Sequence, residues 1–144
     1  MENTNTWFIL SVFVVAIFFD AWADSAKYLY DRYKQVKYLF MNHFYEALMV
    51  LTLLIAMAIP ANSIWQVLFY VVCYGLLRFA LFDPLYNIMT GKHLLYIGES
   101  SVYDKLLGRI FAKPFMKGVL LALRFLCLGL AHFLINYGFP YLFY

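Results

Sequence analysis

Hydrophobic positions in this chain come in long blocks separated by short charged ones, a pattern that predicts membrane-crossing helices rather than strands or a soluble core. Trp7 opens a run of thirteen residues, WFILSVFVVAIFF, that ends at Asp20. At ~1.5 Å per residue this run covers about 20 Å of a hydrocarbon layer about 30 Å thick, so the first helix must carry Asp20, and with it Asp24, into one leaflet. No Gly or Pro lies between Asp20 and Phe40. Asp20, Asp24, Lys27, Asp31 and Lys34 fall at helical spacing on one stripe, while Phe18, Trp22, Leu29, Val36 and Phe40 take the opposite face. Two readings of this stretch follow: one long helix over 7–40, or a span over 7–26 that bends into an interfacial helix over 24–40.

Asn42 is expected to cap a second span over 44–60, with His43 and Glu46 in its first turn and Pro60 ending it. Pro60-Ala61-Asn62 makes a short turn, and Ser63-x-x-Gln66 has the form of a capping box opening a third span over 64–82. Asp83-Pro84 reads as an N-cap followed by a first-turn proline, starting a short helix that Gly91 closes. The segment Arg78 to Gly91 is then a capped corner, or alternatively a binding loop. The form of 92–100 is left open. Ser101-x-x-Asp104 opens an amphipathic helix over 101–112, Pro114 stops it, and the last span covers 115–143. The expected fold class is all-α: a polytopic integral membrane protein with four transmembrane helices and cytoplasmic interfacial amphipathic helices, in one domain.

Composition narrows the class. With 65% hydrophobic and 13% charged residues among 144, and a mean hydropathy of +0.74, the chain lacks the polar surface of a soluble domain. All eleven Lys and Arg residues lie within Lys27–Lys37 and Arg78–Arg124. Basic residues flanking spans favour the cytoplasmic side, which puts loops 27–43 and 83–114 in the cytoplasm and both termini outside. This accounts for the net charge of +3, so nucleic acid is not an expected partner. Cys73 and Cys127 sit in apolar stretches and read as small hydrophobes rather than a disulfide.

The candidate chemistry is a layer of charge inside the membrane. Counted inward from the external ends, Asp20, Arg78 and Arg124 lie about 20, 22 and 30 Å deep, and Glu46 a turn inside its span. Asp24, His43, Asp83 and Asn87 fall just below, and His132, in the apolar part of the last span, completes the candidate polar set. Intramembrane ionisable groups are costly unless paired or hydrated. The layer is therefore either a boundary, with arginines snorkelling and carboxylates pairing with them, or the floor of a hydrated site centred on Asp20. His43-x-x-Glu46 has metal-ligand spacing, but first-turn charge accounts for it, so no metal or cofactor is expected. No nucleophile triad or phosphate loop marks a catalytic residue. The first functional expectation is an oligomer permeating ions or small solutes, or perturbing the membrane. The alternatives are a non-catalytic subunit or anchor docking a cytoplasmic protein, and an enzyme modifying a lipid or isoprenoid phosphate. Expected partners are the bilayer, further copies of the chain, and a cytoplasmic protein.

Overall fold

One face of the first helix carries the logic of the architecture. Ile9, Phe13 and Ile17 repeat at helical spacing, and the same face continues as Asp20, Asp24, Lys27 and Asp31. It is thus apolar over its first half and charged over its second. In the computed structural model, which describes residues 3–57, 64–97 and 102–138, this face runs along a single helix, α1 (Asn3–Tyr33). The other elements are α2 (Val36–Met57), α3 (Ile64–Met89), α4 (Val102–Ile110) and α5 (Pro114–Phe133), which continues into a π-helical turn at Leu134–Gly138. No strand occurs among the described residues. Four helical stretches are long and apolar enough to cross a membrane: Trp7–Tyr33, Val36–Ile55, Ile64–Met89 and Pro114–Tyr137.

The interfacial helix expected over 24–40 does not form, and neither does one unbroken helix to residue 40. α1 stops at Tyr33 because Lys34 turns left-handed, at φ 53°. Its amide still donates to the Tyr30 carbonyl at 2.7 Å, the single bond of a left-handed C-terminal cap. Tyr38 N–H donates to Gln35 O, and α2 is already under way at Val36. The result is a tight hairpin, in which Tyr45 of α2 stacks on Trp22 (5.0 Å) and Phe19 (6.2 Å) of α1. Asn42 is consequently not a cap: it lies buried inside α2. The expected turn at 60–62 and Ser63 lie outside the described residues.

α3 corrects a second expectation. Asp83-Pro84 does not begin a new helix, since α3 runs through it to Met89 and ends where Gly91 adopts φ 67°. Proline inside a helix leaves the carbonyl four residues back without its usual donor, yet membrane helices tolerate this where neighbouring helices pack around the site. Continuity matters for the rest of the molecule because it keeps Phe82, Asp83, Tyr86 and Asn87 on the rod that carries Cys73, Leu77 and Ala80.

α3 is the central helix. It runs parallel to α1, with Phe13 edge-on to Tyr70 and Tyr74, and Tyr28 edge-on to Tyr86 further along. α5 packs on α3 in the opposite sense. Ile9, Phe13, Ile17, Cys73, Leu77, Ala131 and Ile135 form one buried cluster where α1, α3 and the end of α5 converge. A second cluster joins α4 to α5 through Leu107, Phe111 and Leu120. The apolar face expected for 101–112 therefore divides: Leu107 and Phe111 are buried, whereas Leu106 and Ile110 are exposed.

The hairpin yields a first test. A non-glycine residue in the left-handed region carries a penalty of about 1–2 kcal/mol, larger for a β-branched side chain. Lys34→Gly should hold or raise the thermal midpoint of the purified protein in detergent, and Lys34→Val should lower it.

Candidate binding cleft at the polar end of the bundle

Where the inner face of α1 turns from apolar to charged, two ion pairs cross the bundle. Arg78 Nε donates to Asp20 Oδ2 at 2.9 Å, joining α3 to α1. Arg124 Nη2 donates to Asp83 Oδ2, joining α5 to α3. Arg78 and Asp83 are five residues apart, which on a helix is a rise of about 7.5 Å and a rotation of about 140°. One helix therefore sends a cation to one neighbour and an anion to the other.

The two pairs differ in setting. Arg78 retains 46% of its side-chain exposure and packs over the Phe82 ring at 4.3 Å. Arg124 retains 3%, and its Nε and Nη1 have no hydrogen-bond partner among the described residues. It lies on the inward face of α5, between Leu120 and Ala131, and its guanidinium faces Phe79 at 6.0 Å. Such a cation depends on its carboxylate, because an isolated buried charge is far costlier than a paired one.

Beside these pairs opens a cleft of about 600 Å³, lined by Asp24, Lys27, Tyr28 and Asp31 of α1, by Phe82, Asp83, Tyr86 and Asn87 of α3, and by Lys92, Tyr96 and Asp104. Asn87, 1% exposed, builds its far wall. The Asn87 amide donates to the carbonyls of Leu94 (3.1 Å) and Tyr96 (2.8 Å), while the Asn87 carbonyl accepts from the Lys92 amide at 2.8 Å. That clamp gives the segment after Gly91 a defined course and points Lys92 and Tyr96 at the α1 stripe. Asp31 pairs with Lys34 at 3.4 Å. Asp24 and Lys27, one turn apart on the cleft wall, make no hydrogen bond or ion pair with any described residue.

The residues anticipated as one polar layer are thus partly dispersed. Asp20, Asp24, Arg78, Asp83, Asn87 and Arg124 gather at this end. Glu46 and His43 pair instead with each other at 3.2 Å on the exposed side of α2, and neither lines the cleft. His132 lies at the opposite end, its ring 5.7 Å from that of Trp7, with Asn136 donating to its backbone carbonyl at 2.9 Å. It belongs to the outer rim of the apolar cluster and not to the charged layer. Tyr28, Lys92, Tyr96 and Asp104 escaped the sequence reading as cleft residues, whereas Phe82 and Tyr86 fell within the candidate binding loop at Arg78 to Gly91. Tyr28 follows Lys27 on the α1 stripe, and Tyr86 lies one turn beyond Phe82 and Asp83, which are signals that helical spacing offered. No group of three or more His, Cys, Asp or Glu side chains among the described residues is arranged to hold a metal ion. No protein-family model, curated protein or solved structure matches this chain.

Removing one partner of the deeper ion pair should be far worse than removing both. Asp83→Ala strands Arg124 and should cost about 3–5 kcal/mol, whereas Asp83→Leu combined with Arg124→Leu should recover most of that loss. Asp20→Ala should cost less than Asp83→Ala, because Arg78 is half exposed and keeps the Tyr74 hydroxyl and the Phe82 ring as partners. Thermal and denaturant unfolding in one detergent measures all three.

Proposed function

We propose that this chain is a membrane-resident binding protein whose cleft receives a small zwitterion, a phosphate ester that carries an amine. The observation behind this reading is the pair Asp24 and Lys27, a carboxylate and an ammonium close enough on the wall of a cleft to act on each other by charge, neither in an ion pair with a described residue. A ligand with both signs of charge satisfies both at once, whereas a ligand of one sign pairs with one group and leaves the other unmatched. About 600 Å³ falls within the roughly 300–1,000 Å³ of small-molecule sites. Lys27 serves as the phosphate contact through a charge-assisted hydrogen bond, and Asp24 attracts the ligand's cationic group by charge. If the basic blocks orient the chain as they do in other membrane proteins, the cleft opens at the cytoplasmic leaflet, with α4 lying along the surface. The phosphate ester is then either a lipid head group or its free counterpart.

Permeation through a single copy has less support, because the inner face of the bundle is filled by Phe13, Ile17, Cys73 and Leu77 above the ion pairs. Permeation between copies is a second reading. It is favoured by α2, whose Val50, Leu51, Leu54 and Ile55 are exposed along one apolar side and available to lipid or to another copy.

Phosphoethanolamine and phosphocholine, as free compounds and as short-chain phospholipids, titrated into protein in a maltoside detergent, test the first reading. Saturable binding is expected, weakened about tenfold by Lys27→Ala and by Asp24→Asn, the worth of one charge-assisted contact. Equal affinity for free and lipid forms marks a head-group site alone, and preference for the lipid marks a bilayer ligand. Absence of saturable binding to all four compounds would overturn the proposal.

A further inference from the structure

The ammonium of Lys92 is enclosed by three aromatic rings that come from three different parts of the chain. Its Nζ lies 4.3 Å from the centroid of Tyr28 on α1, 5.0 Å from Tyr86 on α3 and 4.5 Å from Tyr96 in the segment after Gly91. No carboxylate lies within ion-pair distance of it among the described residues. Cation–π attraction over several ring faces is the means by which proteins recognise substituted ammonium groups, since a ring attracts positive charge without requiring an N–H donor.

Two walls of this cage are held by contacts independent of its occupant, and the third stands on a clamped backbone. Tyr28 and Tyr86 contact each other edge to face, with centroids 6.4 Å apart, and Tyr86 stacks on Phe82 at an interplanar angle of 7°. Tyr96 is held through its own carbonyl by Asn87, and the Lys92 backbone is held by the Asn87 carbonyl. The contacts that fix the Tyr28 and Tyr86 rings, and the backbone on which the Tyr96 ring stands, do not pass through the Lys92 side chain. That side chain is flexible, enters from the wall of the open cleft, and has no other anchor, so a competing cation can replace it.

We infer that Tyr28, Tyr86 and Tyr96 form a recognition site for a quaternary ammonium group, which Lys92 occupies as a resident cation in the ligand-free protein. The inference rests on the cleft reading above and names the amine: trimethylated rather than primary. A quaternary ammonium is more weakly hydrated than the Lys92 amine and fills the space between three rings better, so it gives up less to enter. Lys92, once displaced, remains at the cleft wall, where its charge can meet the phosphate of the same ligand.

Tetramethylammonium, which carries no phosphate, isolates the cage. Binding to the full chain in detergent is followed by calorimetry and by tyrosine and tryptophan fluorescence, for wild type, Lys92→Met, Tyr96→Leu and Tyr96→Phe. Removing the resident cation should tighten tetramethylammonium binding about tenfold, the scale of one to two cation–π contacts. Tyr96→Leu in the Lys92→Met background should reverse that gain, whereas Tyr96→Phe, which keeps the ring face, should preserve it. Wild type should also prefer phosphocholine to phosphoethanolamine. The inference is overturned if Lys92→Met leaves tetramethylammonium binding unchanged or weaker, or if Tyr96→Leu has no effect. Should the cage fail this test while Asp24 and Lys27 still govern phosphoethanolamine binding, the cleft reading stands without it. Conversely, tetramethylammonium binding by Lys92→Met with no phosphate ester bound by wild type would leave the cage and remove the zwitterion.

Discussion

A guanidinium withdrawn from water needs a carboxylate beside it, and in this bundle α3 supplies that carboxylate at Asp83 while sending its own cation, Arg78, the other way to Asp20. The two pairs fix the axial positions of α1, α3 and α5 relative to one another. Apolar packing alone specifies register poorly in a bilayer, where lipid chains are as apolar as the side chains they replace. Here a slip of one turn would strand Arg124 among Leu120, Phe79 and Ala131. The requirement that α3 serve both neighbours also explains why it stays helical through Pro84: a break there would swing Asp83 away from α5.

From that register the two-part interior follows. Toward Trp7, the inner faces of α1, α3 and α5 carry Phe13, Ile17, Leu77 and Ile135, and the space between them is filled. Toward the loops, the same faces carry Asp24, Lys27, Tyr86 and Asn87, and the helices are lined with groups that need water or a ligand. Asn87 completes this end by capturing the chain after Gly91 and turning it back across the opening. The cleft is therefore a consequence of where charge first appears on the inner face, not of a separate domain.

Much of this was readable along the chain, and the misreadings have physical causes. The stripe Asp20, Asp24, Lys27, Asp31 needed only helical periodicity and an unbroken segment, and it lines the site. The grouping of Asp20 and Arg78 with Asp83 and Arg124 followed from counting depth into the membrane. The turn at Lys34 was illegible because lysine carries no signal for a left-handed conformation; the cap is imposed by the packing of α2 back onto α1. Asp83-Pro84 misled because its local chemistry suits a helix start in water, whereas the ion pair to Arg124 and the packing of neighbouring helices sustain the helix across it. His43 and Glu46 were assigned to the layer by position along the helix alone, which says nothing of direction around the axis, and His132 was counted with it for its chemistry although it lies at the other end. The tyrosine cage needed three segments brought together in space, and no single stretch of sequence contains it.

Single-cysteine accessibility tests directly whether an aqueous cleft at one end of the bundle is closed by the apolar core above the two ion pairs. Cysteines placed one at a time at Asp24, Asp31, Asp104, Ile17 and Leu77, in a background lacking Cys73 and Cys127, are treated with a membrane-impermeant thiol reagent from each side of sealed vesicles. Labelling is expected at 24, 31 and 104 from one and the same side, and none from either side at 17 and 77. Labelling at 17 or 77, or of the cleft positions from both sides, would contradict that closure by showing a water path through the bundle.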